Sequence, residues 1–310
     1  MTSPSLKALV IGLVIRTPLI PLLVLASFVP GFWSVGNLRT LAESVSIDGI
    51  VVIGMTIVMI AGGFDLAVGS VLAMGGVAAI VLLPYGLLAS IVGSAVFGGL
   101  AGLLSGGFVT RLRINPFIAT LAVMVIVRGA TLAYTDTRPV VGLDDTFLAL
   151  GGGYPLPYAF IAMIIIALLG HVLLSWRAWG RHVYAVGADE RAAAMSGLAV
   201  SPIKLQCYGL SGLLAGLAGF LLAARLGTGS PIVGDATPLT AAAAALIGGA
   251  SLRGGQGSIP GAMAGLLFVG SLVNLMNLLG MPSYYQRMVI GTMLIALVVI
   301  DGVLLRLRQR

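Results

Sequence analysis

At the centre of an apolar stretch, residues 47–83, stands a carboxylate, Asp65, in the run Gly62-Gly63-Phe64-Asp65-Leu66-Ala67-Val68-Gly69-Ser70. A charge at membrane depth is costly unless protein or water solvates it. Two adjacent glycines let the backbone leave helical geometry, and irregular backbone at that depth is tolerated only inside protein or beside a water-filled cavity. Gly62, Gly63 and Gly69 therefore read as a structural break, and a glycine-interrupted apolar pair points to a transport path. Asp65 is expected to accept hydrogen bonds from the amides that open the next helix; the alternative is direct contact with a solute or proton. If Gly63 holds a positive φ, Gly63→Val should misfold. The other ionisable groups in apolar surroundings are Asp48, near the outer start of the preceding span, and Arg128, expected to anchor a membrane face or pair with an acid.

Other chemistries lack their residues. The two lysines, Lys7 and Lys204, follow Leu6 and Ile203, so neither completes a phosphate-binding Gly-x-x-x-x-Gly-Lys-Ser/Thr loop. His171 and His182 stand alone, without metal-ligand spacing, and no Gly-x-Ser-x-Gly elbow is present. The single cysteine, Cys207, has no partner for an intramolecular disulfide. No catalytic residue and no cofactor or metal site is expected in the chain.

The elements that must hold these residues are membrane helices. The sequence is 59% hydrophobic and 9% charged, against roughly 25% charged in soluble domains. That excludes an ordinary soluble protein, and all 310 residues read as one all-α transmembrane domain. The net charge of +7 fits basic cytoplasmic loops beside lipid rather than a nucleic-acid partner. Leu19 to Trp33 lacks a small-x-small cleavage site, which predicts an uncleaved first helix. With about 20 apolar residues per crossing, ten spans are expected near 10–32, 45–62, 66–83, 87–109, 116–134, 156–175, 206–225, 239–250, 259–279 and 286–304. The second, third and eighth are short enough to be broken or re-entrant.

Charge sets the expected topology. With the N-terminus inside, Lys7, Arg16, Arg111, Arg113, Arg177, Arg181, Arg191, Lys204, Arg253, Arg306, Arg308 and Arg310 fall on or near the cytoplasmic side. Arg39, Arg138, Arg225 and Arg287 fall outside, so both termini are expected in the cytoplasm. Glycines at four-residue spacing (Gly98, Gly102 and Gly106; Gly212 and Gly216; Gly261 and Gly265) allow close helix approach, within one subunit or, alternatively, between two. A weak echo joins Gly62-Gly63-x-x-Leu66-x-x-Gly69 with Gly248-Gly249-x-x-Leu252-x-x-Gly255.

The segment 176–205 is the longest inside loop. Within it, residues 187–197 read as a short helix, with Asp189 and Glu190 in its first turn, Ala192 to Ala194 as a low-profile face, and Gly187 and Gly197 as brackets. Such an exposed helix suits docking into a groove on a partner, with Ala193 at the contact; the alternative is a solvated connector.

Five stretches carry a family resemblance: 54–73 (GMTIVMIAGGFDLAVGSVLA), 115–135 (NPFIATLAVMVIVRGATLAYT), 180–197 (GRHVYAVGADERAAAMSG), 245–262 (ALIGGASLRGGQGSIPGA) and 274–286 (NLMNLLGMPSYYQ). Together, over about residues 35–303, the chain resembles the permease subunits of bacterial ATP-binding-cassette importers for monosaccharides, the ribose and xylose group. The resemblance implies a bacterial inner-membrane protein paired with a second copy or a paralogue. It also implies a cytoplasmic ATPase that uses ATP and Mg, and a periplasmic sugar-binding protein. Residues 188–197 match the family's coupling helix, giving Gly187, Asp189, Glu190, Ala193, Met195 and Gly197 as coupling candidates. Asp48, Met55, Thr56, Asp65, Asn274 and Asn277 are candidates for the path or gate. Asp48 departs from the asparagine usual at its site. Trp33, Trp176 and Trp179 all lie near expected membrane edges, which predicts a weak, polar-lined path with selectivity mostly in the binding protein. An ion-coupled carrier or channel acting alone is the competing reading.

Overall fold

A computed structural model describes residues 19–308. The expected first span before Leu19, with Lys7 and Arg16, and the terminal Arg310 lie outside the described residues. The protein is an all-α membrane protein. Among the described residues, seven stretches are long and apolar enough to cross a bilayer: α2 (Val35–Ile60), Val68–Tyr85, which is α3 (Val68–Leu82) with a 3-10 turn, α4 (Leu87–Thr110), α5 (Pro116–Thr135), α7 (Tyr158–Trp176), which follows the short α6 (Asp145–Gly151), α10 (Val200–Leu226) and α12 (Ile259–Leu278). Of the remaining expected spans, the first includes α1 (Leu19–Ala26), and its described residues 27–32 are turns rather than helix. The eighth is the 11-residue α11 (Thr237–Ile247), and the tenth lies in α13 (Ser283–Arg308).

The second span is not short. Ser34 caps it by accepting the Asn37 amide at 3.3 Å, and the helix carries Arg39 and Glu43 before its apolar run begins. At 26 residues it is roughly 39 Å long at 1.5 Å per residue. Its second half, Ile50 to Ile60, is buried all round, as expected of a helix with no polar face.

The other central helix, α10, is 27 residues long and packs against α2, α3 and α4. Backbone contact with α4 comes from the four-residue glycines. A Cβ on Gly102 would lie 3.0 Å from the Gly212 Cα, and one on Gly98 2.9 Å from the Gly216 Cα. These glycines close an interface within the chain. Two α4 hydroxyls add polar ties to α3: Ser90 donates to the Ala79 carbonyl at 2.6 Å, and Ser94 to Gly75 at 2.9 Å. On α12, Gly265 seats α11 in the same way, with a Cβ there falling 2.9 Å from the Gly248 nitrogen.

The loops sort to two ends. At one end, Gly62 packs near Gly187 and Arg253, and Asn115 shares a cavity with Gly62. At the other, β1 (Val140–Val141) pairs antiparallel with β2 (Thr228–Gly229), and Glu43 reaches Arg225 at 3.2 Å.

Candidate functional site

The break after α2 is a turn with defined hydrogen bonds. Gly62 (φ 74°) is the residue past the helix cap; its amide donates to the Met59 carbonyl at 3.0 Å, and the Gly63 amide to Val58 at 2.9 Å. This is the glycine-terminated helix end that leaves no carbonyl stranded. The positive φ belongs to Gly62, not Gly63. Gly63 is constrained by space instead: a Cβ there would sit 2.5 Å from the Tyr208 hydroxyl oxygen and 3.0 Å from Val58 Cγ1.

Asp65 is buried, and its two oxygens have different partners. Oδ1 accepts the Ala67 amide at 3.0 Å, and Oδ2 accepts the Ser211 hydroxyl at 3.0 Å. The expectation that it receives the amides opening the next helix is therefore corrected in detail. The cap of α3 is Ala67, which has no side-chain hydrogen bond, so Asp65 holds one amide of the turn before the helix and a hydroxyl on α10. Ser211 also faces Gly54, where a Cβ would fall 2.9 Å from the Ser211 Cα. The chain thus turns at the end of α2 and dips back alongside it, six residues deep. Tyr208, one turn earlier on α10, holds Phe64: its hydroxyl accepts the Phe64 amide at 3.3 Å and faces the Phe64 carbonyl at 3.4 Å.

The second glycine-rich segment meets the first in space. After α11, Gly249 (φ 89°) donates to Leu246 at 2.9 Å and Ala250 to Ala245 at 2.9 Å, the same helix end as at Gly62. The structural match is Ala61-Gly62-Gly63 with Gly248-Gly249-Ala250, one residue out of register with the sequence echo. The following loop closes on α2, with the Gly255 amide donating to the Ile60 carbonyl at 2.8 Å.

A third segment locks both. The helix α8 (Ala178–Ala188) runs through Gly187, which is no bracket but a buried contact: a Cβ would collide with the Ile60 carbonyl and lie 2.7 Å from the Gly255 nitrogen. Tyr184, one turn earlier, donates to the Gly257 carbonyl at 2.8 Å. Burial pushes its hydroxyl above the ordinary phenol range, so it remains a donor at neutral pH.

Asp189 then breaks the chain and caps α9 (Glu190–Met195), accepting the Arg191 amide at 2.8 Å and that of Ala192 at 3.0 Å. The expected single helix over 188–197 is thus two helices with a capped corner. Gly197 (φ 83°) ends α9 by donating to Ala194 at 3.0 Å. Glu190 pairs with Lys204 on α10. Ala193 is buried against its own chain, whereas Ala192 and Ala194 are exposed and Met195 is 84% exposed. Ala193, the expected contact, is thus covered by its own chain, while Ala192, Ala194 and Met195 remain exposed.

The structure disperses the path candidates. Met55 and Thr56 are fully buried, with Thr56 donating to its own helix at Val52, 2.6 Å. Asn274 pairs with Asn37 through two bonds of 2.8 and 2.9 Å, tying α12 to α2. Asn277 accepts Gln286 at 2.7 Å across the turn into α13. Asp48 is half-buried five residues beyond Glu43, which bridges Arg39 and Arg225 at 3.2 Å each. Arg128 does pair with an acid, Asp235, at 2.8 Å.

A cavity of about 440 Å³ opens beside the break, between Phe64, Phe117 at the start of α5, Leu239 and Leu246 on α11, and Leu294. The Phe64 and Phe117 rings stack with centroids 5.4 Å apart. Phe117, Tyr208, Ser211 and Asp235 carry no local signal of a role, since each gains one only through a residue at least 53 positions away. Among the described residues, no three metal-ligating side chains come together.

Residues 37–298 match a family described as branched-chain amino acid transport system, permease component. The ribose import permease protein RbsC of Escherichia coli K12 is 39% identical over 296 residues, covering 92% of this chain and 92% of that protein. The same-named protein of Bacillus subtilis is 38% identical over 278 residues, covering 88% and 86%. The L-arabinose ABC transporter permease protein AraH of Azospirillum brasilense is 34% identical over 281 residues, covering 88% and 82%. No solved structure matches significantly.

Proposed function

The chain belongs to the permease-component family of these transport systems, and from that membership we propose that it forms the membrane path of an ATP-binding-cassette importer for a monosaccharide. It is a permease of a bacterial inner membrane. The proposal extends to about ten membrane segments, both termini in the cytoplasm, and pairing with a second permease copy or paralogue. A cytoplasmic ATPase would use ATP and Mg, and a periplasmic binding protein would deliver the sugar. Ribose and arabinose permeases among the relatives support a pentose-sized cargo.

The observation that carries the reading is the seating of α8 and α9. A six-residue helix with an exposed apolar tip rests on a helix whose Gly187 backbone abuts the end of α2 and the loop at Gly255. Force applied at α9 has a short, close-packed route to both glycine turns beside the cavity. An importer whose ATP is used by a separate subunit needs such a route to its membrane path.

Reconstitution tests this. Liposomes carrying the chain with its ATPase and binding protein should take up sugar only with ATP. Uptake driven by an ion gradient with the chain alone would overturn the importer reading in favour of a carrier or channel.

A further inference from the structure

Arg128 lies 12 residues into α5, roughly 18 Å from the helix start at 1.5 Å per residue, and hence deep within a hydrocarbon core about 30 Å thick. Its partners all belong to the non-helical stretch 230–236, which links β2 to α11. The guanidinium donates to the carbonyls of Pro231 and Val233, the latter at 2.8 Å, and to Asp235 Oδ1 at 2.8 Å. The Arg128 side chain is 17% exposed, but that of Asp235 is 75% exposed. An ionised carboxylate so exposed at that depth is too costly to face hydrocarbon. It must face water or protein.

A cavity lies on the same segments. On α11, Leu239, Ala242 and Leu246 follow one another at the 3-4 spacing of a helix face and line the 440 Å³ cavity, and Asp235 lies in the loop two residues before that helix. On α5, Phe117 and Arg128 belong to one face, and Phe117 lines the same cavity. The Arg128–Asp235 pair therefore joins α5 to the approach to α11, the two segments whose apolar residues line that cavity.

We propose that the surface joined by this pair is a wall of the aqueous path and that Asp235 is a solute-binding group on it, accepting hydrogen bonds from hydroxyls of a neutral polyhydroxy solute in transit. Arg128 is the positioning residue: it fixes the carboxylate and satisfies the carbonyls of the irregular segment. With Oδ1 held by Arg128, the carboxylate offers strong but few acceptor sites to a solute, which orients a polyol without trapping it. The proposal rests on the permease reading above. Asp235 is absent from the path candidates chosen by sequence because nothing adjacent to it marks it.

The first test needs no ATP and is independent of that reading. In the full chain in vesicles, Asp235→Cys should react with a small charged, membrane-impermeant thiol reagent, against a quiet background because Cys207 is fully buried. Ile126→Cys is the control: Ile126 is 54% exposed, two residues before Arg128 and so on the far side of α5, and should stay unlabelled. The second test is uptake by the reconstituted complex. Arg128→Met with Asp235→Leu removes both charges; folded protein should persist while uptake falls about tenfold or more, the scale of a lost charge-assisted hydrogen bond. Asp235→Asn, which keeps the shape and Arg128's acceptor, should fold normally and also transport more slowly, so it carries the test if the double variant does not fold. Labelling of Asp235→Cys no greater than the control, or unchanged uptake in a folded variant, would overturn the proposal. A wild-type complex that fails to transport with ATP would instead count against the permease reading, leaving the labelling result to stand alone.

Discussion

At the residue scale, Asp65 and its two neighbouring glycines have separable jobs. Asp65 is buried and joins the turn to α10 through Ala67 and Ser211. Asp65→Leu strands both donors, at about 1–3 kcal/mol for each buried unsatisfied group, and should lower the amount of folded protein. Asp65→Asn keeps the shape and one acceptor oxygen, so it should fold with reduced transport. Full stability of Asp65→Leu with transport abolished would point instead to direct contact with solute or proton. The glycines then divide along different physics. Gly62→Ala meets no atom closer than 3.7 Å and costs only backbone strain, about 1–3 kcal/mol. Gly63→Val must displace Tyr208 and is expected to lose the Phe64 contacts as well. Detergent melting curves of all four variants, measured alongside uptake, check the order.

At the scale of elements, α9 is a short, capped helix proposed to couple the permease to its ATPase. Its capping group Asp189 and its ion pair between Glu190 and Lys204 hold it on the chain, while Ala194 and Met195 face out. Ala193→Arg would force a guanidinium into a buried site and so should destabilise the permease itself, which makes it a poor probe of docking. Ala194→Arg is the informative change. It should leave folding intact and weaken association with the ATPase about tenfold, as loss of a central contact does. Pull-down of the ATPase by folded Ala194→Arg at wild-type affinity, with normal ATP-driven uptake, would remove α9 from the coupling role.

For the whole molecule, the interface of α4 with α10 matters most, since α10 touches more of the bundle than any other described helix. There is no water-driven attraction between helices in lipid, so close backbone packing must supply the adhesion. Gly102→Leu or Gly212→Leu should part the helices and cost about 3 kcal/mol or more, with loss of folded protein on size exclusion. Gly107→Ala, where nothing lies within 4 Å, should change stability by less than about 0.5 kcal/mol. Equal stability of Gly102→Leu and Gly107→Ala would mean that these glycines do not hold the bundle together.

Much of this was present in the chain before folding. Hydropathy alone marks membrane helices, because hydrocarbon penalises every polar residue wherever it sits, and that penalty is local. Gly197 as a helix stop and the glycine breaks at Gly62 and Gly249 are local too, since only glycine takes those dihedrals cheaply. What needed tertiary structure was every pairing across the bundle. Asn274 gives no sign of its tie to Asn37 until the two are found facing each other, Ala193 reads as a docking surface until its own chain covers it, and Gly187 as a bracket until Ile60 lies against it. Asp235 gives no sign of importance until Arg128 is seen to hold it at depth. These pairs are fixed by packing between segments distant in sequence, so their energies depend on partners that no local pattern names.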